Sequence, residues 1–417
     1  MSGRLVILND SGVTAGGATK LALDAALGAA RRGWDVTYIT QAGDMDARLA
    51  PAGVAVLGIE GARVSRETPR AAAATGLWNS AAARRVATFV AETDTPGTVY
   101  HLHNWAHFLS PSVFRALRPV ESRLVMTTHD YFLSCGNGGH YDFQRNAVCT
   151  RIGNSPSCLV TQCDRKSAAH KAWRVARHAV RSQAFPLRRF AGRVAVIHAR
   201  QAPFFVRAGL PEDRITTIAN PVEPYSPSRI PAEANTDVLF IGRLGEEKGA
   251  DIAADAAHRA GMPMVFAGTG PMADDLAARY PEAEFAGFCD RAQLAALAAR
   301  ARCVIVPSRL AEPFGLVAGE AMWSGLPVLI SRRAFLAGDI VAAGAGLDFD
   351  PLNMEEAAGA LRRIKTDDAA VRRMSTEAFS GTRHIANTME AWLDAYDALY
   401  HSVLPPLQSP AFLEAAQ

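Results

Sequence analysis

The stretch "PSRLAEPFGLVAGEAMWSGLPVLIS", residues 307–331, follows the apolar run "RCVIV" and contains a loop, a short helix and a second apolar run. Pro307 and Ser308 end the first strand, and the helix "GEAMWSG" stops at Gly325 before the strand "LPVLIS". Two strands joined through a helix are typical of neighbouring parallel strands. The stretch therefore predicts a parallel sheet that is covered by helices.

The same alternation of strands and helices extends from this stretch towards both ends of the chain. In the second half, the strands are "TDVLFIGRL", "MPMVFAGTGP" and "AEFAGFC", and the helices between them are Ala- and Leu-rich. In the first half, the strands are "RLVILN", "DVTYIT", "GTVYHLHN", "SRLVMTTHD", "GRVAVIHA" and "DRITTIANPV". A Pro- and Ser-rich segment at 221–235 separates the two halves. We therefore predict an α/β protein with two doubly wound, Rossmann-like domains.

The predicted domain boundaries follow from this division, and 417 residues suit two hydrophobic cores better than one. We predict a first domain at 1–222 with a Cys-rich insert at about 135–163, a linker at 223–235, a second domain at 236–384 and a C-terminal helical segment at 385–417. The helix "TMEAWLDAYDALYHSVL" in that segment has an apolar face made of Trp392, Tyr396, Leu399 and Val403. We expect this face to pack back on the first domain.

Composition excludes several classes of protein. The net charge is +3 and 20% of the residues are charged, so no nucleic-acid binding is predicted. The apolar run near the N-terminus is shorter than a signal-peptide core, and no run of about 18 apolar residues predicts a membrane span. We therefore expect a cytoplasmic protein whose six cysteines do not form permanent disulfides.

Two loops that follow predicted strands could bind an anion. The loop "GVTAGGATK" (12–20) opens a helix with Gly16 and Gly17, and backbone N–H groups at a helix N-terminus attract anions. In the loop "FIGRLGEEKGAD" (240–251), Arg243 and Lys248 precede a helix, where two cations are unfavourable unless an anion neutralises them. An anion suits the first loop, and a diphosphate would satisfy the cations of the second. The alternatives are a tight turn for the first and a solvated charge cluster for the second.

Two glutamates in the opening stretch, Glu312 and Glu320, lie among Pro, Gly and Phe residues rather than on a charged surface. Glu312 is in the loop after a strand and Glu320 is in the helix, so both are expected to face the cleft beyond the strand ends. Carboxylates there can accept hydrogen bonds from sugar or ribose hydroxyls. The alternative for each residue alone is an exposed loop glutamate or a glutamate that stabilises a helix dipole.

These motifs together resemble a known family. "GRLGEEKG", "AGTGP" and "GFCDRAQLAALAARARCVIVPSRLAEPFGLVAGEAMWSGLPVL" resemble the C-terminal half of family 4 retaining glycosyltransferases, which have the GT-B fold. Their order and spacing agree over 238–331, including the E-x7-E signature of Glu312 and Glu320. "AGGATKLALDAALGAARRGWDVTYIT" resembles the start of the same family's acceptor domain. The resemblance implies two Rossmann-like domains that face each other across a cleft.

The resemblance also implies a role for each matching residue. Arg243 and Lys248 would hold the nucleotide diphosphate, Glu320 would bind the ribose hydroxyls and Glu312 would contact the donor sugar. His129, in "TTHD", would hydrogen-bond the sugar. The other donor-binding positions are Gly16 and Gly17 from the facing domain, Gly270 and Phe288 in two turns, and the backbone N–H groups of Phe314, Gly315 and Leu316.

The activity implied by the resemblance is transfer of a sugar, with retention, from a UDP- or GDP-sugar to a saccharide or lipid-linked acceptor. The leaving phosphate would deprotonate the acceptor in a front-face, ion-pair-like transition state, so no cofactor and no catalytic metal are required. We expect a role in bacterial surface polysaccharide or glycolipid biosynthesis. Two alternatives stay open: a non-catalytic sugar- or nucleotide-binding protein of the same fold, and an NAD(P)-dependent oxidoreductase, which the missing G-x-G-x-x-G disfavours.

Three further features lie outside these motifs. Cys135, Cys149, Cys158 and Cys163 are a candidate structural zinc site, with ordinary buried thiols as the alternative because no C-x2-C pair is present. The segment 165–193 is rich in Lys and Arg and has no acidic residue. Its helical face of Lys171, Arg174, His178 and Arg181 would place the protein peripherally on the inner face of the plasma membrane, or would be a solvated basic face. His101, His103 and His107 are interpreted either as structural hydrogen-bonding residues or as part of the acceptor side.

Overall fold

The computed structural model describes residues 3–14, 16–61 and 69–405. Two parallel sheets form two domains, with seven strands in the first sheet and six in the second. All neighbouring pairs in both sheets are parallel. The predicted α/β fold with two doubly wound domains is therefore confirmed.

The first domain carries nine strands and seven helices within its described residues. The strands are β1 Arg4–Leu8, β2 Asp35–Gln41, β3 Ala55–Ile59, β4 Thr98–Leu102, β5 Leu124–Thr128, β6 Tyr141–Asp142, β7 Ala147–Val148, β8 Arg193–Val196 and β9 Ile215–Thr217. The helices are α1 Gly17–Arg31, α2 Pro69–Leu77, α3 Ser80–Thr93, α4 Ser112–Ala116, α5 Pro156–Leu159, α6 Ala168–Ala184 and α7 Ala202–Arg207. Strands β6 and β7 form a separate antiparallel pair.

The second domain and the C-terminal segment complete the chain. The strands are β10 Asp237–Ile241, β11 Met264–Ala267, β12 Glu284–Gly287, β13 Ala301–Val306, β14 Val328–Ser331 and β15 Gly346–Phe349. The helices are α8 Ala250–Ala260, α9 Ala273–Arg279, α10 Arg291–Ala299, α11 Leu316–Trp323, α12 Leu336–Ala342, α13 Met354–Thr366, α14 Asp368–Gly381 and α15 Met389–Val403. None of the helices in these described ranges has the length and apolarity that crossing a membrane requires.

The central strands form because their side chains are apolar on both faces of the sheet. Strands β4, β5 and β13 are buried at every position, which is typical of a parallel sheet covered by helices on both sides. The strand order is β3-β2-β1-β4-β5-β8-β9 in the first sheet and β12-β11-β10-β13-β14-β15 in the second. It changes direction between β1 and β4 in the first sheet and between β10 and β13 in the second. Ligands of doubly wound sheets bind at such points, beyond the carboxyl ends of the strands.

Helix α15 packs on the first domain, as the apolar face of the sequence predicted. Trp392, Tyr396 and Leu399 are buried in the same hydrophobic cluster as the inner face of α1. A Cβ atom at Gly28 of α1 would lie 2.4 Å from Leu393 Cδ2, so the glycine permits a close approach of the two helices. The predicted crossing of the C-terminal helix onto the first domain is therefore present.

The Pro- and Ser-rich segment between the domains is packed against its surroundings. Tyr225 and Ile230 are buried in the core of the second domain, and Pro221 forms a β-bridge with Asn387. The Ile230 N–H donates to the carbonyl of Ser324 over 2.9 Å. The segment thus connects the two domains and is itself packed against the second domain.

The structure corrects the prediction for the basic face of α6. His178 and Arg181 are each only 4% exposed, and Arg174 forms an ion pair with the buried Asp164 over 3.0 Å. Lys171 Nζ lies 3.2 Å from Cys163 Sγ. The exposed positions of α6 are instead Ala168, Ala169, Ala172, Ala176, Ser182 and Gln183. His178 and Arg181 of the predicted face are therefore turned inwards, while Lys171 and Arg174 are half-buried and contact Cys163 and Asp164. Contact of the segment 165–193 with an anionic membrane stays a prediction.

The four cysteines of the insert line one small cavity together with Arg151, Lys171 and Arg174. All four are free thiols, and Cys158 is the most exposed of them. In the described part of the chain, no group of three or more His, Cys, Asp or Glu side chains is arranged to hold a metal ion. Zinc at this cluster stays a prediction from sequence, which elemental analysis of the purified protein would decide.

Candidate functional site

A cavity of about 240 Å³ lies between the two domains at the carboxyl ends of their strands. The first domain contributes His129, Asp130 and Tyr131, which follow β5. The second domain contributes the residues after β10 and β13, including Lys248 and Glu312. The cavity therefore brings together residues of the first and the second domain, which the family resemblance predicts on opposite sides of the cleft.

Glu312 and Lys248 form an ion pair at this cavity. The Lys248 ammonium and the Ser308 hydroxyl each donate to the Glu312 carboxylate, whose side chain is 16% exposed. Burial alone would raise the pKa of Glu312, but the ammonium and the two hydrogen bonds outweigh it and hold the pKa below its ordinary value. Glu312 is therefore ionised at neutral pH and is held in a fixed orientation.

Glu320 occupies a different environment, although it lies only eight residues further along the chain. The Tyr225 hydroxyl donates to its carboxylate over 2.9 Å and Arg291 Nη1 approaches it to 3.4 Å. Burial raises the pKa of Glu320, and the two donors only partly oppose that effect. The carboxylate is thus positioned by two side chains outside the E-x7-E signature.

Arg243 is paired with Glu247, and Arg165 from the first domain donates to the same carboxylate over 3.0 Å. Glu247 thus joins two guanidinium groups across the cleft, and its pKa is lowered although burial acts in the opposite direction. The predicted pair of cations is present at the start of α8. Each of the two is neutralised by a carboxylate, Arg243 by Glu247 and Lys248 by Glu312.

Two glycines at the cleft, Gly249 and Gly17, allow the backbone to approach neighbouring segments closely. Gly249 has φ +73°, and a Cβ atom there would lie 2.1 Å from the carbonyl oxygen of Pro307. This contact places the Lys248 turn directly against the loop that carries Glu312. A Cβ atom at Gly17 would lie 3.0 Å from Leu316 Cδ1, so the first domain touches the N-terminus of α11. Gly16 has open space around its Cβ position.

The remaining predicted donor positions differ in exposure. Phe314 is buried, and Gly315 with φ +75° precedes α11. A Cβ atom at Gly270 would lie 2.3 Å from the carbonyl oxygen of Leu244. Only glycine fits at this position, because the backbone packs directly against the loop that carries Arg243. Phe288 follows the edge strand β12 and is 83% exposed. Contacts of these residues with a donor stay predictions.

His129 is the outermost member of a buried histidine cluster. His103 Nδ1 lies 3.0 Å from His129 Nε2, and the His101 and His103 ring centroids are 4.0 Å apart. His101 is hydrogen-bonded to Tyr400 and Thr127, each over 2.8 Å. Burial lowers the pKa of His129 to about 4, so its imidazole is neutral at physiological pH. The predicted cleft position of His129 is present, whereas His101 and His103 lie beneath it.

Asp130 lies beside His129 and has an unusual carboxyl group. Burial raises its pKa to about 6, although the Phe132 N–H donates to it over 2.9 Å. Arg177, which donates to the carbonyls of Ala106 and Gly136, favours the ionised form from a distance. A carboxyl group that titrates near neutral pH in a cleft is a candidate hydrogen-bonding group for an acceptor hydroxyl.

Sequence reasoning missed several residues of the site, namely Tyr225, Asp130, Ser308, Glu247, Arg165 and Arg291. The sequence could have indicated Arg291, because this arginine is the first residue of α10, where a cation is unfavourable beside the helix dipole unless an anion is near. Tyr225 had none, since its segment was interpreted as a linker. Arg165 was assigned to the basic segment, and only the fold brings it to Glu247.

Comparisons with known proteins agree with this geometry. A family model described as "Glycosyltransferase Family 4" matches residues 15–225, and one described as "Glycosyl transferases group 1" matches residues 225–380. The glycogen synthase of Mycobacterium tuberculosis is 32% identical over 179 residues, which are 39% of this chain and 43% of that protein. The GDP-mannose-dependent alpha-mannosyltransferase of Corynebacterium glutamicum is 31% identical over 154 residues, which are 37% of each chain. The chain thus aligns with less than half the length of either relative.

Solved structures match the whole fold at low sequence identity. Sucrose-phosphate synthase from Thermosynechococcus elongatus superposes with a TM-score of 0.71 at 18% identity, over 96% of this chain and 99% of that one. Anabaena HepE, solved in complex with UDP-glucose, superposes with a TM-score of 0.67 at 18% identity, over 96% and 100%. These matches establish the GT-B architecture. With one family model covering half of the chain and the group 1 model adjoining it, the chain belongs to glycosyltransferase family 4.

Proposed function

We propose that this protein transfers a sugar from a UDP- or GDP-sugar to a hydroxyl group, with retention at the anomeric carbon. The observation that carries the proposal is the ion pair of Lys248 and Glu312 at a cavity lined by both domains. A fixed ammonium beside a fixed carboxylate suits a ligand that has both an anionic group and hydroxyl groups. A nucleotide-sugar has both.

The cations of the site would hold the donor's diphosphate. Lys248 and Arg243 stand at the turn before α8, and both now bind carboxylates. A diphosphate would offer Lys248 and Arg243 stronger, multivalent acceptors at a helix N-terminus. The same charges would stabilise the diphosphate as it leaves, which is where negative charge develops in the reaction.

The two glutamates would bind the donor's hydroxyl groups. Glu320, held by Tyr225 and Arg291, would accept hydrogen bonds from the ribose hydroxyls. Glu312, held by Lys248 and Ser308, would accept them from the transferred sugar. Because each carboxylate is oriented before the donor binds, little side-chain entropy would be lost on binding. HepE, solved with UDP-glucose, and the GDP-mannose-dependent relative support UDP or GDP as the nucleotide.

The proposed chemistry is substitution on the face from which the diphosphate departs. The bond between the anomeric carbon and the diphosphate oxygen breaks, and the acceptor oxygen forms the new bond on the same face. The acceptor proton passes to the departing diphosphate oxygen, so the protein contributes positioning and electrostatic stabilisation. We propose a saccharide or lipid-linked acceptor in bacterial surface polysaccharide or glycolipid synthesis, as the family resemblance implies.

Calorimetric titration of UDP-, GDP- and ADP-sugars onto Lys248→Ala and Glu320→Ala tests the site. We expect each variant to weaken donor binding at least tenfold, because each removes a charge-assisted contact. Arg279→Ala and Glu282→Ala are matched controls, since both residues form exposed ion pairs on the second domain. Unchanged affinity in both site variants would refute the assignment.

The alternatives give different results in the same experiment. A non-catalytic binding protein would bind the nucleotide-sugar but release no nucleoside diphosphate in the presence of any acceptor tested. An NAD(P)-dependent oxidoreductase would quench or enhance NADH fluorescence, which the proposed transferase would leave unchanged. Retention itself is decided by the anomeric configuration of the product in an NMR spectrum.

A further inference from the structure

We propose that His103 is a positioning residue that fixes the tautomer of His129, so that His129 carries its proton on Nδ1 and donates a hydrogen bond into the cleft. His103 lies directly after β4 and His129 directly after β5, on adjacent strands of the first sheet. His129 lines the cavity between the domains, and His103 lies behind it.

The geometry connects the two rings through one hydrogen bond. His103 Nδ1 and His129 Nε2 are 3.0 Å apart, and the two ring planes are inclined by only 15°. His103 is 3% exposed, and its backbone N–H donates to the carbonyl of Leu8 over 2.9 Å. On its other side it contacts the His101 ring, whose two nitrogens are bonded to Tyr400 and Thr127. The His103 ring therefore has little freedom to rotate.

Each ring carries a single proton. Burial lowers the pKa of His129 to about 4 and that of His101 to about 3, and it lowers the pKa of His103 well below its ordinary value. A neutral imidazole has one N–H and one bare nitrogen. The bond between the rings can then take only two forms: His103 Nδ1–H donates to His129 Nε2, or His129 Nε2–H donates to His103 Nδ1.

The other nitrogen of His103 distinguishes the two forms. Among the described residues, His103 Nε2 is buried without a hydrogen-bond partner. If His129 were the donor, the His103 proton would sit on this Nε2 as a buried N–H without an acceptor, which is rare in proteins. If His103 is the donor, Nε2 is only an unused lone pair, which is the less costly arrangement. His103 therefore donates, and His129 is protonated at Nδ1.

This inference has a consequence for the substrate that rests on the proposed function. A His129 with Nδ1–H offers the cleft a donor, whereas the carboxylate of Glu312, which lines the same cavity, offers an acceptor. The donor sugar would thus place a hydroxyl oxygen, as acceptor, towards His129. A deoxy analogue that lacks this oxygen would lose affinity, and we expect about a tenfold loss.

Proton–nitrogen correlation spectra of the histidine rings test the tautomer in the ligand-free protein. The protein is labelled with nitrogen-15, and the His129 signals, among those of eleven histidines, are assigned by their loss in His129→Gln. We expect a protonated Nδ1 and a bare Nε2 for His129. In His103→Leu both tautomers should be populated, and kcat/KM should fall about tenfold. His103→Asn, whose amide N–H replaces the Nδ1–H, should restore both.

His101→Asn is the matched control, because His101 is equally buried and contacts His103 but does not bond to His129. It should leave the His129 tautomer unchanged. A wild-type His129 protonated at Nε2 would overturn the proposal, as would a folded His103→Leu variant with an unaltered His129. If the tautomer is as expected but no nucleotide-sugar is used, the proposed function fails and the inference about His103 stands.

Discussion

In the two glutamates of the E-x7-E signature, the pKa values are shifted in opposite directions, although both residues belong to one motif. Glu312 has an ammonium and a hydroxyl as donors, and its pKa is lowered. Glu320 has a phenol and a more distant guanidinium, and its pKa is raised. The difference arises from Lys248 and Tyr225, which lie far from the motif in the sequence. The motif therefore specifies the carboxylates, and the fold sets the direction in which the pKa of each one moves.

The Tyr225 hydroxyl is predicted to matter for nucleotide binding. In Tyr225→Phe, Glu320 loses the donor that lies 2.9 Å away, so its pKa rises further and its orientation is less fixed. We expect the affinity for the nucleoside diphosphate to fall about tenfold in calorimetry, with the fold retained in circular dichroism. Tyr280→Phe is the control, because the Tyr280 hydroxyl contacts Arg279 rather than a cleft residue. Equal affinities of both variants would show that Tyr225 is only a packing residue.

At the scale of elements, the segment between the domains is an anchored part of the second domain. Arg229 donates to both oxygens of Glu233 over 3.0 Å and to Ser375 of α14 over 2.7 Å. Arg372 of α14 adds a second guanidinium to Glu233 over 3.2 Å. Because Tyr225 lies in the same segment, these contacts hold the residue that orients Glu320. The segment thus links the packing of α14 to the orientation of the Glu320 carboxylate.

Glu233 predicts a defined dependence of stability on pH. Its hydrogen bonds with Arg229 lower its pKa from 4.5 to about 2. The stabilisation is complete above the unfolded pKa near 4.5 and is lost as the pH falls through about 2. Glu233→Gln should therefore lower the free energy of unfolding by about 2 kcal/mol at pH 7, and the difference from the wild type should shrink below pH 5.

Urea unfolding from pH 7 down to pH 3 measures this difference. Glu284→Gln is the matched control, because its ion pair with Arg300 is about half exposed and should contribute less than about 0.5 kcal/mol. A Glu233→Gln variant whose deficit stays constant over this pH range would contradict the assigned cause.

At the scale of the whole molecule, α15 joins the two ends of the chain. It buries Trp392, Leu393 and Tyr396 against the first domain after the chain has completed the second. Tyr396 is hydrogen-bonded to Thr127 over 2.6 Å and Tyr400 to His101 over 2.8 Å. The helix therefore supplies part of the hydrogen-bonded floor beneath His129, besides its hydrophobic contacts.

The close approach of α1 and α15 predicts a measurable coupling. Leu393→Ala should lower the free energy of unfolding by about 3 kcal/mol, because truncation of a buried leucine side chain creates a cavity. A methyl group at Gly28 would enter the space of Leu393. Gly28→Ala should therefore reduce the cost of Leu393→Ala by at least about 0.5 kcal/mol in denaturant unfolding. Leu361→Ala in α13 is the control, and its cost should be additive with Gly28→Ala.

Much of this architecture could be predicted because strands and helices depend on local patterns. The apolar runs of β1, β4, β5 and β13 fall where the sequence placed them. The positions of Lys248, Glu312 and Glu320 near the strand ends were predictable because these residues lie in short motifs that follow strands; their contacts with a donor stay predictions. The partners of these residues were less predictable, since Tyr225 and Arg165 meet them only through tertiary contacts. The basic face of α6 was misinterpreted because a pattern of charges does not reveal the buried Asp164 that pairs with it.

The floor beneath His129 also has a consequence for the order of synthesis. Tyr396 and Tyr400 reach it from a helix that the ribosome makes after both sheets. A nascent chain that has folded both domains still lacks these two hydroxyl groups and leaves Thr127 and His101 without them. The floor beneath His129 is therefore completed only after residues 389–403 have been made, later than the two sheets that carry the rest of the cleft.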